Sequence, residues 1–326
     1  MNMNTNAQAL GIKVVRILGK QKAVVCIAII LIVMLFQDTN FYTQANILNN
    51  LLEQVSTNAI IAFGVTLAVI CRGCDLSVGS VMVTSGVISV LLINTGMNMG
   101  LAIAIAILFG SLVGFINGFL IVKQKSEAFI ITLGMGMLVQ GLALLLTDAR
   151  SVRPIDANFT RIANDQWFGI PNIAAFMIIL GIITFLILRF TSFGRNIYAL
   201  GGDYEVAEHS GINVVLNKWA AFVYTGTFAA IAGVLAASRF ESAMLVHGVN
   251  TPLMVNCGVV IGGTSFAGGV GGIPQSFIGI LTMFLLRNAM ASLGLHTFIQ
   301  QLVLGIMIVS VIALDCYSEK RKKEDV

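Results

Sequence analysis

The sequence predicts an all-α integral membrane protein of about ten transmembrane helices, some of them short or broken. Three observations predict it. The chain has 326 residues, of which 57% are hydrophobic and only 10% charged, against about 25% charged in a soluble domain. The apolar residues fall into successive runs close to the ~17–25 residues a helix needs to cross a bilayer. The basic residues cluster between particular runs, as they do on the cytoplasmic side of membrane proteins.

The apolar runs lie near 22–37, 57–72, 77–95, 99–122, 128–147, 170–190, 217–238, 253–270, 275–292 and 297–316. Ala23–Phe36 reads as the core of a retained first helix. Lys13, Arg16, Lys20 and Lys22 precede it, and no small-residue cleavage site follows. Basic groups also mark Lys123 with Lys125, the stretch Arg189 to Lys218 and the tail Lys320-Arg321-Lys322-Lys323. The connection 38–56 has neither Lys nor Arg, and the loop 148–169 mixes three arginines with three aspartates. With both termini cytoplasmic these landmarks fit ten spans. The organisation is then a cytoplasmic segment 1–22, a membrane domain 23–316 with a long cytoplasmic loop 191–217, and a basic tail 317–326.

Five cysteines, Cys26, Cys71, Cys74, Cys257 and Cys316, sit in or beside apolar runs, which is no disulfide framework. Cys71 and Cys74 have the C-x-x-C spacing of metal and redox sites. No second ligand pair accompanies them, so they read as small apolar thiols at a helix end and no metal is expected.

Backbone that leaves the helix at membrane depth survives only inside protein or along a wet path, so interruptions point toward function. The first is Gly73-Cys74-Asp75-Leu76-Ser77-Val78-Gly79. Asp75 either caps the next helix, with Ser77 in its first turn, or lines a path for solute, and Arg72 beside the break reads as a cytoplasmic-edge anchor. The second is the run 262–272, with six glycines in eleven residues and Thr264 and Ser265 among them. No Lys-Ser or Lys-Thr follows it, so it reads as a turn between packed helices rather than a phosphate loop. Both breaks have the order span, Gly-rich polar turn, span, which suggests related halves. Gly110, Gly114 and Gly118 recur every four residues and let a second helix approach. Asn117 beside them and Thr132 are interhelical hydrogen bonders or path residues. Phe63, Phe115, Phe129 and Phe266 are aromatics placed to stack on a sugar or to pack between helices.

Within the long loop, residues 203–210 read as a short helix. Asp203 caps it, Glu205 stands in its first turn and Gly211 ends it. A short helix held between two spans can dock a partner. The loop reads Phe193-Gly194-Arg195, Ala199-Leu200-Gly201-Gly202, Ala207 and Ser210-Gly211-Ile212. With Gly73 to Gly79, Asn117-Gly118, Phe129 to Gly134 and Ile261 to Gly269, the chain resembles, in order and over nearly its whole length, permease subunits of bacterial ABC importers for ribose, galactose, allose and related monosaccharides. One departure stands out. The family's acids before the Ile-Gly-Gly-Thr-Ser block are replaced by Pro252-Leu253-Met254-Val255-Asn256-Cys257. Their role is dispensable here, or passes in part to Asn256, or substrate handling differs.

The resemblance implies a permease dimer in the bacterial cytoplasmic membrane, driven by cassette ATPases that carry the ATP and Mg and supplied by a periplasmic or lipid-anchored sugar-binding protein. On the same resemblance no cofactor is expected in this chain, and no reaction catalysed by it. Coupling to the ATPase falls on Asp203, Glu205, Ala207, Glu208, Ser210, Gly211 and Ile212, with Gly194 and Arg195 shaping the approach. The path candidates are Asp75, Ser77, Asn117, Thr132, Asn256, Thr264 and Ser265. No nucleic-acid partner is expected. Rival readings are an ion-coupled secondary transporter, a passive channel and a membrane-embedded enzyme. The first would need ionisable relays within the spans, and Asp75 is nearly alone. No filter motif or catalytic cluster supports the other two.

Overall fold

A computed structural model describes residues 51–124 and 126–324, and it is built almost wholly of helices. The expected first span, its core Ala23–Phe36 and Cys26 lie outside the described residues. In chain order the helices are α1 (Glu53–Ile70), α2 (Val78–Asn94), α3 (Met99–Lys123), α4 (Ala128–Thr147), α5 (Ala157–Asn164), α6 (Asn172–Phe190), α7 (Ser192–Gly202), α8 (Tyr204–His209), α9 (Val214–Arg239), α10 (Thr251–Ile261), α11 (Ile273–Ser292) and α12 (Thr297–Glu324). Five of them, α1, α3, α4, α6 and α9, are long and apolar enough to cross a membrane.

Helix starts follow local chemistry. Asn98 Oδ1 accepts from the amides of Gly100 and Leu101 to open α3, and Asn213 Oδ1 accepts from Leu216 to open α9. Prolines stand in the first turns of α10 and α11, where no intrahelical amide bond is lost.

The helices divide into an inner and an outer set. In α1 and α9, 83% and 72% of the membrane-length stretch is buried, against 28%, 22% and 33% in α3, α4 and α6. Helix α9 lies at the centre, against α1, α2, α3 and α5. Lipid is as apolar as leucine, so association rests on close packing rather than on expulsion of water. Glycine permits it. A Cβ at Gly110, Gly114 or Gly118 would strike Gly226, Phe222 and Trp219 of α9, and one at Gly226 would strike Gly110 in return. Phe63 of α1 lies against Gly181 of α6, and Phe115 packs on Trp219 with ring centroids 4.4 Å apart. Phe63 thus packs between helices, whereas Phe115 rests on α9 and stays 44% exposed.

Several boundaries differ from the sequence reading. The run expected to span at 253–270 is helical only over Thr251–Ile261, because the glycines from 262 onward end α10 half-way. The 148–169 loop contains α5, whose cap is Asp156, and leads into a two-residue hairpin pairing β1 (Gln166–Trp167) with β2 (Ile170–Pro171). Helix α7 is also additional. Helix α12 runs on through the expected tail to Glu324.

Candidate functional site

Between α1 and α2 the backbone leaves the helix for seven residues, 71–77. A buried backbone amide or carbonyl without a partner costs as much as a lost hydrogen bond. Here neighbouring side chains supply the partners. The Gly73 amide reaches the Ala68 carbonyl at 2.8 Å. The Leu76 amide donates to Thr132 Oγ1 at 3.1 Å, and the Thr132 hydroxyl proton is shared between the carbonyls of Cys74 and Ala128. Asn256 Nδ2 donates to the Asp75 carbonyl at 3.0 Å. Asp75 Oδ1 accepts from both the amide and the hydroxyl of Ser77, at 2.8 and 2.6 Å. Asn117 Nδ2 donates to Ser77 Oγ at 2.9 Å.

Asp75, Ser77, Asn117, Thr132 and Asn256 therefore meet in one network, drawn from the break and from α3, α4 and α10. All five are at most 2% exposed. Their polar atoms are spent on holding irregular backbone, apart from Asp75 Oδ2 and Asn117 Oδ1, which have no partner among the described residues. Ser77 occupies the position before α2 rather than its first turn, and no side chain caps α2. Asp75 does not take the expected capping role, because its Oδ1 accepts from Ser77 itself and not from a first-turn amide.

Thr264 and Ser265 stand apart from this network. Thr264 is fully buried with its hydroxyl 3.4 Å from Ser276 Oγ, to which Thr66 donates at 2.7 Å. Ser265 Oγ accepts from the Ala267 amide inside the glycine loop. A cavity of about 370 Å³ opens beside the first break, between α2, α4 and the start of α10. Leu76, Ser80, Thr84, Phe129, Met137 and Gln140 are among its lining residues. None of the seven path candidates is among them; of the four aromatics singled out in the sequence, Phe129 is. The polar pair Ser80 and Gln140 was not singled out from the sequence, where isolated Ser and Gln in a span carry no pattern.

The two breaks touch each other and the 191–217 loop. The Gly269 amide donates to the Ile70 carbonyl at 3.0 Å. Arg72 donates from Nε to the Gly201 carbonyl at 2.9 Å and from Nη2 to the Gly202 carbonyl at 2.6 Å. These are end carbonyls of α7, which lack helical partners, so Arg72 caps α7 across a gap of 129 residues. Its φ of +58° is a conformation side chains seldom adopt. Tyr198 donates to the Gly271 carbonyl at 2.8 Å. A Cβ on Gly201 would strike both the Ile70 carbonyl and the Gly269 amide. The sequence reading took Arg72 as an edge anchor.

Beyond this clasp, α8 is capped by Asp203 Oδ1, which accepts from the Val206 amide at 3.0 Å, and it ends at Gly211 with φ +80°. Arg195, Asp203, Glu205, Glu208, Ser210 and Gly211 are exposed, while Gly194 and Ala207 are buried and Ile212 is half-buried against the core. Only the exposed ones can meet a partner. Gly194 instead lets α7 pass the end of α6.

Residues 47–312 match the family described as branched-chain amino acid transport system / permease component. The chain is 34% identical over 307 residues to the ribose import permease protein of Escherichia coli strain K12, covering 91% of this chain and 94% of that protein. It is 36% identical over 289 residues to the ribose import permease protein of Bacillus subtilis strain 168, covering 88% and 89%. To the L-arabinose transport system permease protein of Escherichia coli strain K12 it is 35% identical over 284 residues, covering 87% and 86%. No solved structure matches the chain.

Proposed function

The chain belongs to the family of branched-chain amino acid transport system permease components, and we propose that it is the membrane-spanning subunit of an ATP-driven importer for a monosaccharide or related small polyol. The relatives are permease proteins for ribose and L-arabinose, and a D-allose permease protein is 32% identical over 276 residues. The chain is a multi-pass protein of the bacterial cytoplasmic membrane, in keeping with these relatives and with its membrane-length helices. On this reading ten spans cross with both termini inside, and two permease chains form the path. Separate cassette ATPases bind ATP and Mg, and a binding protein delivers the sugar from outside.

The observation that carries the proposal is α8. It is a capped, exposed acidic helix at one end of the bundle, and the helix before it is clasped to both membrane breaks. A push on α8 from an ATPase passes through α7 to Arg72 and the glycine loop. From there it reaches the Asp75 network and the cavity beside it. Rigid helices joined by hydrogen bonds move as units, so a small displacement at the docking end re-aims the broken helices.

The test is co-purification in mild detergent from membranes expressing the permease with its ATPase. The expected result is retention of the ATPase by the unsubstituted chain. The double variant Glu205→Arg with Gly211→Trp, still folded, is expected to lose it. An ATPase bound equally by both would move the docking site elsewhere, and absence of any ATPase would end the importer reading.

A further inference from the structure

A second cavity, of about 320 Å³, lies at the far end of α1 from the breaks. Thr57 and Asn58 of α1, Arg239 and Phe240 at the end of α9, His247 and Arg287 of α11 face it. Met82 and Met254 also line it. The volume falls at the lower end of the ~300–1,000 Å³ typical of small-molecule sites.

The polar groups here are not spent as those of the break are. Thr57 is 6% exposed, yet its hydroxyl has no hydrogen-bond partner among the described residues. A buried hydroxyl left without one costs stability, so a ligand hydroxyl at this spot would replace a deficit. Asn58 Nδ2 donates to the Gln54 carbonyl, which leaves its carbonyl oxygen for a donor. Arg239 is fixed from two sides: its Nε donates to Glu53 at 2.9 Å and its guanidinium lies 4.8 Å from the Phe240 ring centre. Nε is thereby used, and the terminal nitrogens keep their donors. The His247 ring packs 4.3 Å from the same phenylalanine. Fixed donors, free acceptors and an aromatic edge around a small space suit a molecule whose hydroxyls both donate and accept and whose ring carbons are apolar.

We propose that this cavity is an entry subsite for one neutral polyhydroxylated molecule of monosaccharide size, bound by Thr57, Asn58 and Arg239 before it reaches the breaks. The inference rests on the importer reading. Helix α1 puts Thr57 about 20 Å from the clasp at Ile70 and Arg72 (thirteen residues at ~1.5 Å each), so the cavity opens at the end of the bundle opposite α8. An importer receives its solute at that end.

The whole importer, reconstituted in liposomes with its ATPase and binding protein, is to be assayed for uptake of D-ribose, L-arabinose and D-allose. Thr57→Val with Asn58→Leu is expected to raise the KM for the transported sugar about tenfold, the loss of one or two net hydrogen bonds. Thr57→Ser alone is expected to stay near the unsubstituted value, since it keeps the hydroxyl. Saturation-transfer NMR of the same sugar on the permease alone in nanodiscs is expected to show contact that the double variant lacks. An unchanged KM in the double variant overturns the subsite while leaving the importer intact. If the unsubstituted importer carries none of the three sugars, the subsite falls with the functional reading it rests on.

Discussion

Asp75 joins sequence to structure at a single side chain. Its Oδ1 organises Ser77, and through Ser77 it holds Asn117 of α3. Replacement by alanine strands a buried amide and a hydroxyl, whereas Asp75→Asn keeps an acceptor at the same place. Asp75→Ala is therefore expected to be less stable than Asp75→Asn by about 1–2 kcal/mol, read as a lower unfolding midpoint in detergent. Equal midpoints would show that the network does not hold the break. A different argument applies to His247, in the turn between α9 and α10. Burial first, and the Arg239 guanidinium second, press its pKa below the ordinary imidazole value of 6.5. Among the described residues, the other charges lining or bordering its cavity are Glu53, paired with Arg239, and Arg287. A depressed histidine pKa means that the unfolded chain takes up the proton first as pH falls. The stability due to neutral His247 is complete above about pH 6.5 and is eroded below it. His247→Gln is expected to flatten the fall in unfolding midpoint between about pH 6.5 and pH 5. A slope unchanged by the substitution would assign the acid sensitivity to other groups.

At the level of elements, the clasp of α1 on α7 and the stripe of α3 on α9 use the same device, backbone brought to within touching distance by glycine. Their consequences differ. The Gly110, Gly114 and Gly118 stripe joins two long helices, so Gly114→Val separates them and is expected to unfold the protein at a temperature lower by several degrees. On the proposed importer reading the clasp joins a docking segment to a path. Arg72 contributes two charge-assisted hydrogen bonds of about 1.5–3 kcal/mol each, and losing even half of one such pair shifts a docked arrangement about tenfold. Arg72→Ala is expected to keep its ATPase bound while the sugar carried per ATP hydrolysed falls about tenfold. A variant that binds ATPase and transports with the normal ratio would show that force travels by another route. Gly201→Ala should reproduce the defect, since its methyl group would meet the Ile70 carbonyl.

Across the whole molecule the helices sort the loops to two ends. Helix α6 carries the β1–β2 hairpin at its start and α7 at its finish, about 28 Å apart for nineteen residues. Val152 and Ala243 pair backbone to backbone at 2.8 and 3.2 Å, so the 148–171 connection and the turn before α10 share the hairpin end. Phe168 is fully exposed there, and Glu205 is exposed at the other end. In intact cells, a single cysteine at Phe168 is expected to react with a membrane-impermeant maleimide, and one at Glu205 only after the membrane is opened. Labelling of both from outside would overturn the assigned sidedness. This test also settles the loop whose three arginines and three aspartates left its side open on charge alone.

Composition and run length determined that the chain enters a membrane as helices, because no arrangement of so few charges covers a watery surface. The glycine-rich breaks at 73–79 and 262–272 were legible because glycine and aspartate interrupt apolar runs, and α8 because Asp203, Glu205 and Gly211 mark a helix start and stop locally. The network at the break was not legible. Thr132, Asn117 and Asn256 are single polar residues on three different helices, and only packing places them around one segment of backbone. Arg72 was read as an anchor because its partners, the end carbonyls of α7, lie 129 residues away and are backbone atoms with no residue-type signature. The far cavity depends likewise on side chains from α1, α9 and α11. A sequence records which groups are costly to bury, and the tertiary structure decides which of them meet.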